Sequence, residues 1–160
     1  MNAEFDESAL KLRLYCLGNE WGFEHSKLEL EFCPGDDGEL AGVLSIKIGP
    51  LDIGFRFWST GFELENFRQD LIRVGKGEKT EAVFTDIIHH AIVLRLREDP
   101  SPNRVIEITG HVSLIAPDYS YAVPFAGFRT ESSLLPDVAR CIRDFLTVTQ
   151  VSTKNPLLDL

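Results

Sequence analysis

Residues 42–77 read GVLSIKIGPLDIGFRFWSTGFELENFRQDLIRVGKG, and the periodicity of this stretch changes once, near Ser59 and Thr60. Before that point apolar and polar residues alternate in two runs, Val43 to Ile48 and Leu51 to Trp58, joined through Gly49 and Pro50. Alternation with period two marks a strand with one buried face, and Gly-Pro between two such runs reads as a hairpin turn. Beyond it, Leu64, Phe67, Leu71 and Val74 fall at i, i+3, i+7 and i+10, one face of an α-helix. Thr60 and Glu63 have the spacing of a capping box, and Gly75 suits the C-terminal stop. The order is therefore strand, strand, helix.

That order returns later in the chain. Gly42, Leu44, Ser45, Ile46, Phe55 and Phe57 correspond, 68 positions on, to Gly110, Val112, Ser113, Leu114, Val123 and Phe125. With a three-residue insertion, the helix face Leu64, Phe67, Leu71, Val74 maps 71 positions on to Leu135, Val138, Ile142, Phe145. Ser132 or Ser133 is placed to cap this second helix, with Pro136 in its first turn, where a missing N–H costs little. Pro124 cannot donate to a ladder and belongs at a sheet edge or bulge.

The remaining segments complete the sheets. KLRLYCL at 11–17 and KLELEFC at 27–33 alternate as strands on either side of the connector GNEWGFEHS, and PGDDGE at 34–39 is a turn. Glu81 to Arg97 is strand-like, and EDPSPN at 98–103 is a loop before VIEITGHVSLIA. A sheet with one apolar face and a helix with one apolar stripe must each bury that surface, and the other half of the chain is available for it. The fold class is α+β: antiparallel β-sheets with two helices packed on them, in two strand-strand-helix pseudo-repeats. One domain is expected over 1–160, with acidic N-terminal strands in 1–41 and a peripheral tail over 149–160.

Composition sets outer bounds. The 160 residues are 44% hydrophobic and 26% charged, typical of a folded domain, and eleven Phe supply much of the core. Cys16, Cys33 and Cys141 form no CxxC pair and are odd in number, which argues against a disulfide framework. No basic n-region, signal-like apolar run or membrane-length span occurs, so a cytoplasmic location is the default. The net charge is −9, and residues 1–40 hold ten acids against Lys11, Arg13 and Lys27. Such a field repels phosphate backbones and favours a basic partner, so neither nucleic acid nor membrane is expected as a ligand.

The search for reactive constellations yields little. In DIIHH at 86–90, extended backbone puts His89 and His90 on opposite faces, so one metal ion cannot collect both. His25 and His111 are isolated, and no HExxH or zinc-spaced Cys/His set is present. GKGEKT at 75–80 lacks phosphate-loop spacing and follows a helix, and no GxSxG elbow appears. The cysteines lie in apolar or turn contexts that suit unreactive thiols. Neither a metal nor a cofactor is expected. Trp58 reads as a core residue, whereas Asp118 and Tyr119 in APDYSY are placed for contact.

The segment order resembles the WapI-like immunity proteins, which serve bacterial polymorphic toxins, and related small bacterial families. The likeness rests on ELENFRQDL at 63–71 (ELxxFxxxL), GHVSL at 110–114, and FRTESSLLPDVARCIRDFL at 128–146 (FxTxxSxLxxxxxxIxxFL), within residues 42–148. It implies a non-enzymatic protein that neutralises a toxin domain by binding it, and supplies no active-site residues. The acidic N-terminal quarter would steer a basic toxin domain, with Asp36, Asp37, Glu39, Asp118 and Tyr119 as candidate contacts. Two other readings stand beside it: a small-molecule binder or enzyme with a pocket between sheet and helices, using His90 or His111, and a homodimeric assembly protein.

Overall fold

The computed structural model describes residues 1–6, 8–15, 27–36, 38–86, 91–99, 105–116 and 119–158, without the side chains of 14–15, 114–116 and 119–120. Strands β1 (Asn2–Phe5), β2 (Leu10–Tyr15), β3 (Lys27–Pro34), β4 (Glu39–Ile48) and β5 (Leu51–Thr60) form one antiparallel sheet in sequence order. Helix α1 (Gly61–Gly75) follows directly. Strands β6 (Glu81–Thr85), β7 (Ile92–Glu98), β8 (Val105–Ala116) and β9 (Tyr119–Glu131) form the second antiparallel sheet, again in sequence order, and α2 (Leu135–Thr149) ends the unit. The architecture is α+β, as the periodicity indicates. Four strands and a helix, β2–β5–α1, are repeated as β6–β9–α2.

Alternation decides which residues enter the core. Leu10 and Leu12, then Leu28, Leu30 and Phe32, then Leu40, Gly42, Leu44 and Ile46 are buried, while the residues alternating with them face outward. Ala82 and Phe84, Ile92, Leu94 and Leu96, and Ile106, Ile108 and Val112 do the same in the second sheet. The two inner faces meet at Phe84. Its ring centroid lies 5.3 Å from Phe32 and 5.9 Å from Phe57, both in the first sheet, and 5.8 Å from Phe67 of α1. Edge-to-face rings at these spacings interact favourably beyond the area they bury.

Each helix covers the other half's sheet. α1 follows the first sheet but lies against β6, and α2 follows the second but lies against β1 and β2; the helices also touch each other. The stripes named from sequence are the ones buried: Leu64, Phe67, Leu71 and Val74 on α1, Leu135, Val138, Ile142 and Phe145 on α2. Val151, just beyond α2, is buried too, and with Ser152 packs against Gly61 at the start of α1.

The two helix starts show how the repeats have diverged. At α1 the capping box forms: Thr60 Oγ1 accepts from the Glu63 N–H at 3.3 Å, and Glu63 Oε2 accepts from the Thr60 N–H at 2.9 Å. Ser59 also donates to Glu63 Oε2, at 2.7 Å. Seventy-one positions on, Thr130 replaces Ser59 and Leu134 replaces Glu63. The carboxylate is gone, so the fully buried Thr130 hydroxyl has no hydrogen-bond partner among the described residues. Neither Ser132 nor Ser133 caps α2, contrary to the sequence expectation. A 3-10 turn, Ser132–Leu134, leads into the helix, and Ser133 donates to Glu131 instead. Pro136 stands in the first turn as expected.

Three further differences from the sequence reading have simple causes. β1 has only four residues; Ala3 and Phe5 alternate inward against the core, but the run is too brief to announce a strand. The run from Glu81 to Arg97 holds two strands, β6 and β7, which pair antiparallel, and the Asp86 side chain links them, Oδ1 accepting from the Ile92 N–H at 3.0 Å. β9 is an edge strand, as Pro124 requires, but its pairing with β8 shifts register between Ile108 and Gly110, where β9 carries an extra residue between Phe125 and Phe128 and Gly127 has φ of 89°. This bulge belongs to the three-residue insertion separating the two offsets.

The repeat is also seen in cross-strand packing. Gly42 pairs with Phe57 across β4 and β5, and Gly110 pairs with Phe125 across β8 and β9. In both, the aromatic ring lies over its glycine: a Cβ on Gly42 would stand 2.2 Å from the Phe57 ring, and one on Gly110 2.5 Å from that of Phe125. Glycine is needed because a ring occupies the space of a side chain. Gly110 is tighter still, since its Cβ would also meet the Val93 carbonyl oxygen at 2.1 Å. Gly42→Ala should therefore cost about 1–2 kcal/mol, and Gly110→Ala about 3 kcal/mol or more because β7 and β8 must separate. Denaturant melts of both variants check this, and equal or negligible losses would contradict it.

Candidate functional site

The outer face of the five-stranded sheet is set by the same alternation. Register pairs Leu10 with Phe32, Pro34 with Leu40 and Glu39 with Thr60. The β1–β2 turn, the β3–β4 turn and the end of β5 therefore lie at one end of the sheet. Two outward-facing rows cross it there: Glu4, Lys11, Glu31, Val43, Arg56, and nearer the edge Cys33, Ala41, Trp58.

Carboxylates gather at this end. Glu4, Asp6, Glu31, Asp36 and Glu39 are all here, with Lys11 and Arg56 the cations in the same rows. Glu4, Asp6, Lys11 and Glu31 line an open groove of about 350 Å3. Asp6 is fixed by its own turn: its Oδ1 accepts from the Ser8 hydroxyl at 2.5 Å and from the Ser8 and Ala9 N–H groups at 2.7 and 3.0 Å. Those bonds, the hydroxyl's first, hold its carboxyl below the usual range. Lys11 reaches Glu31 at only 4.0 Å, a loose pair.

Trp58 is the exposed aromatic of this region. It is 53% exposed, and a Cβ on Gly35 would lie 3.7 Å from its ring, so the indole rests beside the PGDDG turn. The expectation that Trp58 is core is overturned, because Phe57 and Ser59 point inward and their neighbour must point out.

Of the contacts named from sequence, Asp36 and Glu39 are exposed at this acidic end. Asp37 and Asp118 lie outside the described residues, and Tyr119 opens β9 in the other sheet with its side chain outside them. Asp36 and Glu39 therefore belong to a different sheet from Tyr119. Glu4, Asp6 and Glu31 were not singled out from sequence. Glu31 lies on β3 just before the turn that holds Asp36, and strand register brings Glu4 and Asp6, distant along the chain, to the same end.

The other candidates resolve as follows. His25, His89 and His90 lie outside the described residues, and His111 sits half-buried on the outer face of the second sheet, paired with Val93 and Pro124. Among the described residues no group of three or more His, Cys, Asp or Glu is arranged to hold a metal. Asp86 is 1% exposed, and its Oδ2 has no partner among the described residues. Burial, with Glu31 nearby, pushes the Cys33 thiol up, and burial does the same to Cys141; both are shifted away from nucleophilic thiolates. No helix is long and apolar enough to cross a membrane among the described residues. The sequence matches no protein-family model, no curated protein and no solved structure.

Behind the acidic end, the outer face is braced by ion pairs. Arg13 bridges Glu29 and Glu4, at 2.6 Å each, and Lys27 reaches Glu29 at 3.1 Å. Burial raises the Glu29 carboxyl, but the hydrogen bonds from Arg13 and Lys27 outweigh it and hold it below its ordinary range. A depressed folded-state pKa adds stability that is present above the unfolded value, about 4.3, and is lost as pH falls through the folded value. Glu29→Gln is therefore expected to be less stable than the parent at neutral pH, with the difference shrinking in acid. Thermal melts across that range test it, and a pH-independent difference would contradict the assignment.

Proposed function

We propose that this chain is a non-catalytic, immunity-type binding protein that neutralises a bacterial toxin domain by direct contact, in the manner of the WapI-like proteins its segment order resembles. The acidic end of the five-stranded sheet is the contact surface, and the toxin domain it meets is basic. One observation carries this: strand register sets Glu4, Asp6, Glu31, Asp36 and Glu39 along one end of the five-stranded sheet, with the exposed Trp58 on its β5 side beside the turn that holds Asp36.

The physical logic has two parts. Rim carboxylates accelerate encounter with an oppositely charged surface, and their effect falls with salt. A tryptophan at the patch supplies the buried, rigid area that dominates binding energy once the surfaces meet. Contact at this end leaves the core and the Arg13–Glu29 lattice undisturbed, so the protein binds as a preformed surface.

The test is protection and binding against the toxic domain encoded beside this protein's own gene. Co-expression should rescue growth, and the purified pair should form a complex. Trp58→Ala should weaken it by roughly 30-fold, about 2 kcal/mol. The double change Asp36→Asn with Glu39→Gln should slow association and flatten its salt dependence. Absence of both protection and binding, or a complex indifferent to all three substitutions, would overturn the proposal.

A further inference from the structure

β5 is the last strand of its sheet, and its outer edge pairs with no other strand among the described residues. A free ten-residue edge is usually protected by proline, bulges or inward charge. Its repeat counterpart, β9, is protected in this way. Pro124 stands 68 positions after Arg56, and the Gly127 bulge follows. β5 has neither device. It pairs with β4 without a register shift from Leu51 to Thr60.

The sequence of this open edge is self-complementary. In an antiparallel pairing of β5 with a second β5 centred on Gly54, Asp52 of each copy faces Arg56 of the other. Ile53 faces Phe55 twice, and Leu51 faces Phe57 twice. Of the registers that keep inner faces together, only this one sets Asp52 directly opposite Arg56, because the two flank Gly54 at equal distance. Both are exposed, and neither forms an ion pair among the described residues; Lys47 is the β4 partner of Asp52 in register only. Ile53 and Phe55 are half-buried and Leu51 is 50% exposed, leaving apolar area to cover. At the centre, a Cβ on Gly54 would meet nothing within 4 Å.

We propose that two copies of this chain associate edge to edge through β5, two-fold about Gly54, joining their five-stranded sheets into one continuous sheet. The occupant is a second copy because the charges match only themselves reversed, the pattern an isologous interface requires. Opposite-charge and apolar cross-strand pairs both stabilise such a ladder, and like charges placed opposite each other destabilise it. The proposal does not depend on toxin binding.

Sedimentation of the full chain over a concentration series tests it. The parent should dimerise. Arg56→Asp sets Asp against Asp, and Asp52→Arg sets Arg against Arg; each should weaken the dimer about tenfold or more. An equimolar mixture of these two variants should form a heterodimer, and the charge-swapped double variant should regain the homodimer. Should a single variant fold poorly by circular dichroism, Gly54→Cys gives an independent reading: mild oxidation should link two copies through residue 54, beyond any linkage seen in the parent. A parent that stays monomeric at its highest soluble concentration, a dimer unaffected by both reversals, a mixture that forms no heterodimer, or no added link through residue 54 would each overturn the proposal.

Discussion

Reciprocal cover is the constraint on which this molecule depends. Each half makes an antiparallel sheet and one helix, but the helix is placed over the other half's strands: α1 on β6, α2 on β1 and β2. Neither sheet is sealed by its own helix. Phe84 stands where the halves meet, touching rings from β3, β5 and α1, so the core is shared between them. Fully burying side chains of this size is worth roughly 1.5–3 kcal/mol each, a large fraction of a domain's net stability.

The two inner faces pack against each other in one shared core. The outer faces have diverged. The first sheet carries the acidic end, with Trp58 exposed and Arg13 and Glu29 tying the strands behind it. The second carries a looser set of pairs, Arg95 with Glu81 and Arg129 with Glu107, at 3.3 and 3.7 Å between well-exposed groups, of the kind that contributes little. The edges have diverged as well, β9 being interrupted by Pro124 and a bulge while β5 runs uninterrupted. One scaffold used twice thus presents two dissimilar surfaces.

Much of this was legible in the sequence, and the limits were physical. Period two and period 3.6 located β4, β5 and both helices, and the 68-residue offset joining Gly42 and Phe57 to Gly110 and Phe125 matches a packing motif seen twice. The capping box at Thr60 and Glu63 was readable because it depends only on local spacing. Its loss at α2 follows from Leu134 standing where Glu63 would, yet nearby serines suggested a cap that does not form. Trp58 was misassigned because its hydrophobicity outweighed its parity, although the inward setting of Phe57 already sent it out. The acidic end was only half visible: Asp36 and Glu39 announce a turn and Glu31 stands on the strand before it, but Glu4 and Asp6 reach them through pairing between strands, which spacing along the chain does not encode.

The most direct test of reciprocal cover is to divide the chain between Lys79 and Thr80, beyond α1, and follow each fragment and their mixture by circular dichroism and cooperative unfolding. Residues 1–79 and 80–160 should each lack a cooperative monomeric fold alone, and should regain one together as a one-to-one complex. Either fragment unfolding cooperatively as an isolated monomer would contradict the shared core on which the account rests.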